Sequence, residues 1–215
     1  MGLAIGLSAS AAPAADTLLA AGVREAMQLA VERGLAAVAR ADGFLGNSAI
    51  RIGVPESLSW IETRLRQVGE DRRADKFIAG LNHVAEASAA AARPALVVGV
   101  AQLPLEDPQR ILTRGDTAGT DLLRRLTTSR VITALTPVVA DTMDQGRIAR
   151  QYKRFIRGSP LGGLFQQAPI DLDAYVVGRT VDGIFHAIGE EERRIRNDPA
   201  ARTTPRLREV FGGQR

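Results

Sequence analysis

From Asp16 almost to the C terminus, apolar side chains recur three and four residues apart, and each run ends at Gly, Pro or Asp. That spacing gathers them on one face of a helix but scatters them over both faces of a strand, so a chain built this way buries them only as packed helices. Asp16 reads as an N-cap, and Leu18, Leu19, Val23, Met27, Leu29, Ala30 and Leu35 then mark a helix over 17–41. Pro55 opens a second, running to about Val68 with Leu58, Ile61, Leu65 and Val68 inward. Further helices are predicted over 71–92, 95–103, 108–113, 117–145, 146–158 and 172–197, with a last short one from Pro205. Asp171 caps the long helix that carries Val177, Val181, Ile184, Ile188 and Ile195.

The expected architecture is therefore all-α: a single-domain multi-helix bundle over 16–212, of about eight helices. The segment 42–54, Asp-Gly-Phe-Leu-Gly-Asn-Ser-Ala-Ile-Arg-Ile-Gly-Val, is the exception. Its glycines break the helix, and the alternation Ile50-Arg51-Ile52 allows a short extended stretch, with Phe44 and Ile50 as core anchors.

Composition removes several function classes. There is no cysteine, hence no disulfide, thiolate metal site or cysteine nucleophile. The sequence pI near 10.2 suggests nucleic-acid binding, but the net charge is only +4. Twenty-six arginines against two lysines, Lys76 and Lys153, raise the pI because arginine keeps its proton below about pH 12. Nine aromatics, mostly at core spacing, leave little for stacking on single strands, and nucleic acid is not an expected partner. Met1–Ala15 has no charged side chain and reads as a secretory signal remnant or an Ala-rich tail; the export reading places the chain in the periplasm or cell envelope. No run of about 18 apolar residues marks a transmembrane segment.

The densest polar chemistry is Arg114–Arg125, Arg-Gly-Asp-Thr-Ala-Gly-Thr-Asp-Leu-Leu-Arg-Arg. Gly115 ends one element and Asp116 is placed to cap the next. From Val131 on, the apolar stripe is Val131, Leu135, Val138 and Val139; extended backwards at about 100° per residue it reaches Arg124, Asp121, Thr120 and Thr117. Either the helix breaks, at Thr127-Thr128-Ser129 or at Pro137, or it runs on and turns these groups inward. In the second case Asp121 and Arg124 need partners, from each other and Asp116, or from an anion held at the helix N-terminus. The candidate ligand-binding residues are Asp116, Thr117, Thr120, Asp121, Arg124 and Arg125.

A second candidate is the basic face Arg147, Arg150, Arg154 and Arg157, opposite Ile148, Tyr152, Phe155 and Ile156; it suits an anionic lipid surface or an acidic partner. The run Glu190-Glu191-Glu192 before Arg193, Arg194 and Arg196 reads as surface ion pairs rather than a metal site. Asp141 and Asp144 read as a solvated helix end. His83 and His186 lie on separate helices with no catalytic partner at a fixed spacing. Phosphate-loop, dinucleotide-turn and nucleophile-elbow motifs do not occur, so neither a catalytic set, a cofactor nor a metal is assigned.

The ordered motifs Asp42-Gly-Phe, Ile50-Arg-Ile with Pro55-Glu56, Gly115-Asp-Thr-Ala and Thr120-Asp-Leu-Leu-Arg-Arg125 precede Asp171-Leu-Asp-Ala-Tyr175, Asp182-Gly-Ile-Phe185, Glu190-Glu-Glu and Asn197-Asp-Pro-Ala-Ala-Arg-Thr-Thr204. In that order they resemble the bacterial domain-of-unknown-function family numbered 4197, over roughly residues 16–212. The resemblance implies an exported, mostly helical protein of Gram-negative bacteria and assigns no activity. The function expected from the residues is a non-catalytic binding or interaction protein for an anionic small molecule, lipid headgroup or partner protein. The alternative is an enzyme in which Asp116 or Asp121 moves a proton and Arg124 or Arg125 holds an anionic substrate.

Overall fold

A computed structural model describes residues 12–156 and 170–213, with side chains from residue 16. Its helices are α1 (Ala12–Ala39), α2 (Ser59–Gln67), α3 (Asp71–Ser88), α4 (Arg93–Ala101), α5 (Pro108–Thr113), α6 (Ala118–Gln145), α7 (Ile148–Ile156), α8 (Leu172–Asn197) and α9 (Pro205–Gly212). Short 3-10 turns lie at Glu56–Leu58, Ala89–Ala92 and Pro199–Ala201. No strand occurs among the described residues. The bundle is all-α as expected. Its first helix begins at Ala12, ahead of the Asp16 expected to cap it. Val68, expected inward, is 53% exposed, because α2 ends at Gln67 and the chain leaves the helix there.

The pair α1 and α8 forms the centre, and α6 lies along α8. The crossing is close because Gly34 has no side chain: a Cβ there would stand 2.9 Å from the Ile188 amide nitrogen. One apolar cluster, including Met27, Leu35, Phe77, Leu81, Leu96, Val131, Leu135, Ile184 and Ile188, joins these helices to α3 and α4. Each such buried side chain contributes roughly 1.5–3 kcal/mol. At the other edge Phe77 stacks on Phe155 with centroids 4.9 Å apart, which docks the short α7.

The 42–54 segment is a chain of turns followed by coil, not a strand. Asp42, at φ 57°, reverses the chain after α1. The backbone groups that a partner strand would have satisfied are taken by α3 side chains. Asn82 accepts from the Ile52 amide and donates to the Ile52 carbonyl, both at 2.8 Å. Glu86, one turn further on, accepts from the amides of Phe44 and Leu45 at 3.1 Å each. Phe44 is fully buried against Gly183 of α8, as the anchor role required. The Tyr175 hydroxyl closes the far end by donating to the Gly53 carbonyl at 3.0 Å.

Helix α6 is continuous through both expected weak points. Thr127, Thr128 and Thr133 donate to the carbonyls four residues back, at 2.7, 2.6 and 3.0 Å, so their hydroxyls follow the helix rather than compete with it. Pro137 lies on the exposed side, as does Thr133, whose carbonyl loses its usual donor, and water can serve that carbonyl. The buried positions are Gly119, Leu123, Thr127, Val131, Leu135, Val139 and Met143, with Thr120. A four-residue step overshoots one turn by about 40°, so this stripe spirals around the helix. The inward turn expected of Asp121 and Arg124 does not follow; both are exposed.

The run Asp71–Ala101 is long and apolar enough to cross a membrane by length and composition, which the sequence count of apolar residues had not flagged. Half of its most apolar window is buried inside the bundle, and a 3-10 turn at Ala89–Ala92 divides it. It packs as a core element against α1 and α6.

Candidate functional site

A cluster of polar groups forms where the start of α6 meets the second half of α8. The expected cap of α6, Asp116, does not cap it: its Oδ2 accepts instead from the Asn197 side-chain Nδ2 at 3.1 Å, and Thr117 occupies the cap position without a side-chain capping bond. The capping oxygen comes from Glu192 on α8. Its Oε1 accepts from the Gly119 amide at 3.0 Å, and its Oε2 from the Thr120 amide and hydroxyl, both at 2.7 Å. Gly119 lets it approach, since a Cβ there would stand 2.6 Å from Met27 Sδ and 3.0 Å from Glu192 Oε1.

The charge of Glu192 is balanced by Arg196, whose Nε and Nη2 donate to Oε1 at 3.0 and 2.7 Å. The same guanidinium donates to the carbonyls of Leu112 and Ile111 at 3.0 and 3.3 Å, fixing the end of α5. Side-chain exposure is 3% for Glu192 and 7% for Arg196. Surface pairing describes Glu190 with Arg193; Glu191 is half-buried and meets Arg33 and Arg194 only at 3.8 Å. It does not describe Glu192, which is a buried, fully bonded carboxylate. An anion does sit at the α6 N-terminus, and it belongs to the chain itself.

Outside this plug an open groove of about 350 Å³ runs between α6, α8 and the 42–50 turns. Thr117, Thr120, Asp121 and Arg124 line one wall, with Arg179, Asp182, His186, Glu190 and Arg193 on the other. The α8 residues fall at steps of three and four and so share a face. Gly183 lies among them because Phe44 packs where its Cβ would be, at 2.3 Å. Arg124 pairs with Asp182 and stands 5.5 Å from the Phe185 ring centroid. Burial pushes the Tyr175 phenol up, and Arg179 beside it works the other way. Asp121 forms no ion pair or hydrogen bond through its carboxylate among the described residues. The groove thus presents three cations and three carboxylates, plus an exposed histidine.

Arg125, one residue on, lines a different concavity with Arg110 and Arg114. The six sequence candidates are therefore divided: Thr117, Thr120, Asp121 and Arg124 share the α6–α8 groove, while Asp116 and Arg125 do not line it. The residues missed were those of α8. His186 lines the groove, whereas His83 stands 4.0 Å from Asp42 on the exposed side of α3. On α7, Arg147, Arg150 and Arg154 are exposed and line neither concavity; Arg157 lies outside the described residues. No group of three metal-ligating side chains occurs among the described residues.

No curated protein and no solved structure matches this chain. The model of one family matches residues 14–212, and that span contains every motif segment brought together here, from the Phe44 turn to Glu192 and Asn197. The chain belongs to the family described as protein of unknown function, DUF4197.

Proposed function

We propose that the chain is a non-catalytic binding protein of the Gram-negative cell envelope, and that the α6–α8 groove receives a ligand or peptide segment carrying charges of both signs. The observation that carries this reading is the alternation of charge along two helices clamped together by Glu192. Arg124 and Asp182 are 47% and 51% exposed, so their pair is screened by water and contributes at most about 1 kcal/mol. A ligand carboxylate can replace Asp182 at Arg124, while Asp121 and the released Asp182 accept the ligand's cation. Phe185 beneath Arg124 holds the guanidinium in place during the exchange. The envelope location rests on the signal-like character of Met1–Ala15 and the family resemblance.

The catalytic alternative draws less support. Asp116 is bonded to Asn197 and Arg125 opens elsewhere, so neither joins a shared site; Asp121 and Arg124 do share the groove, but Arg124 is paired with Asp182 and not held free for a substrate anion.

The test is a thermal-shift screen of the intact chain against amino acids, dipeptides and dicarboxylates. A ligand at a hundred times its Kd stabilises by about 2.7 kcal/mol. Mixed-charge ligands are expected to raise the melting temperature of the parent protein and to leave Arg124→Ala and Asp121→Asn unmoved. A panel in which only single-sign ligands act, or in which Arg124→Ala responds fully, would sink the reading.

A further inference from the structure

The second concavity, about 360 Å³ between α5, its connection to α6, and α6 itself, has a different electrostatic character. Arg110, Arg114 and Arg125 line it from three successive pieces of chain, over a partly apolar wall formed by Ile111 and Leu122. In the α6–α8 groove Arg124 and Arg193 are ion-paired. Here none of the three guanidinium groups forms an ion pair or a side-chain hydrogen bond among the described residues. Asp107, which also lines the site, is engaged as the N-cap of α5, accepting from the Arg110 amide at 3.0 Å. Glu106 is the remaining carboxylate.

Three guanidinium groups against the two carboxylates leave a surplus of positive charge in the concavity, which an anion among the arginines balances. A carboxylate brings one negative charge on two oxygens, whereas a phosphate monoester offers three terminal oxygens and a charge of about −1.5 to −2, which suits several guanidinium groups at once. The walls are held before any ligand arrives, because Arg196 grips the Ile111 and Leu112 carbonyls between Arg110 and Arg114. We propose that this groove binds a phosphate monoester attached to an apolar body, the phosphate among Arg110, Arg114 and Arg125 and the apolar part against Ile111 and Leu122. The ligand is either a soluble organophosphate or a lipid headgroup of the same chemistry.

The experiment is calorimetric titration of the intact chain with n-hexyl phosphate and with inorganic phosphate. A parallel arm measures co-sedimentation with phosphatidylcholine vesicles, with and without phosphatidate. Hexyl phosphate is expected to bind at one site, more tightly than inorganic phosphate. Arg114→Ala and Arg125→Ala each weaken it about tenfold or more, the worth of a charge-assisted hydrogen bond. Glu106→Gln tightens it, a gain that no unfolded variant would show, and Arg124→Ala leaves it unchanged, which separates this site from the α6–α8 groove. Phosphatidate-dependent sedimentation with the same arginine dependence assigns the source to a membrane, and titration without it to a soluble ligand. The proposal is overturned by the absence of saturable binding in both arms, or by binding that survives the combined Arg114→Ala and Arg125→Ala change.

Discussion

Replacing Glu192 by Ala removes five hydrogen bonds at one buried point: two to α6 amides, one to the Thr120 hydroxyl and two from Arg196. The loss is not the sum of five weak terms, because the groups left behind dominate. Arg196 becomes an unpaired guanidinium at 7% exposure. Breaking a buried pair from one side costs about 3–5 kcal/mol. The orphaned Gly119 and Thr120 amides overlap with that figure rather than adding to it, since an N-cap alone is worth about 1 kcal/mol. For a chain of this length roughly 2–4 °C accompanies each kcal/mol, so the melting temperature should fall by roughly 6–20 °C. Glu192→Gln keeps an acceptor for the amides but not the charge, and should lie between Ala and the parent. Adding Arg196→Met to Glu192→Gln should recover part of the loss by removing the orphaned cation. Urea and thermal unfolding followed by circular dichroism measure all three. A Glu192→Ala protein within about 1 kcal/mol of the parent would refute the reasoning, because a merely solvated carboxylate behaves that way.

Other consequences are local. Asn82→Ala leaves the Ile52 amide and carbonyl without partners and should cost about 1–3 kcal/mol; the Ile52 amide should lose its protection in hydrogen exchange before the helices do. Gly183→Ala drives a methyl into the buried Phe44 ring and should cost about 1–3 kcal/mol, partly restored when Phe44→Leu is added, as measured by urea unfolding. Asp173 has its pKa raised from the ordinary 3.8, by burial first and then by Asp171 and Asp144. A carboxylate with a raised folded pKa destabilises above that pKa and not below its unfolded value. Asp173→Asn should therefore melt higher than the parent at neutral pH, and the advantage should vanish as pH falls below about 3.8.

The helices were legible because their signals are local. Asp171, Pro108 and Pro205 stand where the caps and first turns form, and α5 and α8 match their expected bounds. The polarity of α6 was misread for a non-local reason. A stripe extended straight back from Val131 puts Asp121 and Arg124 inside. The real stripe drifts, because α6 changes partners along its length and Leu123 and Thr127 pack on Gly99 of α4. Whether 42–54 would pair as a strand could not be read either, since its partner is the Asn82 side chain, thirty residues away.

Glu192 carried a signal that was available. The α8 stripe runs Val177, Val181, Ile184, Ile188 and Ile195, and Glu192 falls at the inward position left empty between the last two. A charge at a core position asks for a buried partner, and here it finds a helix N-terminus. What the sequence lacks is any mark of which arginines remain unpaired once the bundle closes. Arg124 and Arg125 are neighbours in the chain, yet they open on separate concavities with different neighbours.

The most direct measurement is an amide-resolved NMR titration of the intact chain with the mixed-charge ligand selected by thermal shift. Shifts should gather at Asp121, Arg124, Arg179, Asp182 and His186, while the Gly119 and Thr120 amides keep their exchange protection because Glu192 still holds them. Loss of protection at Gly119 and Thr120 on saturation would mean that the ligand displaces Glu192 from the helix N-terminus, and shifts confined to other surfaces would remove the groove from the account.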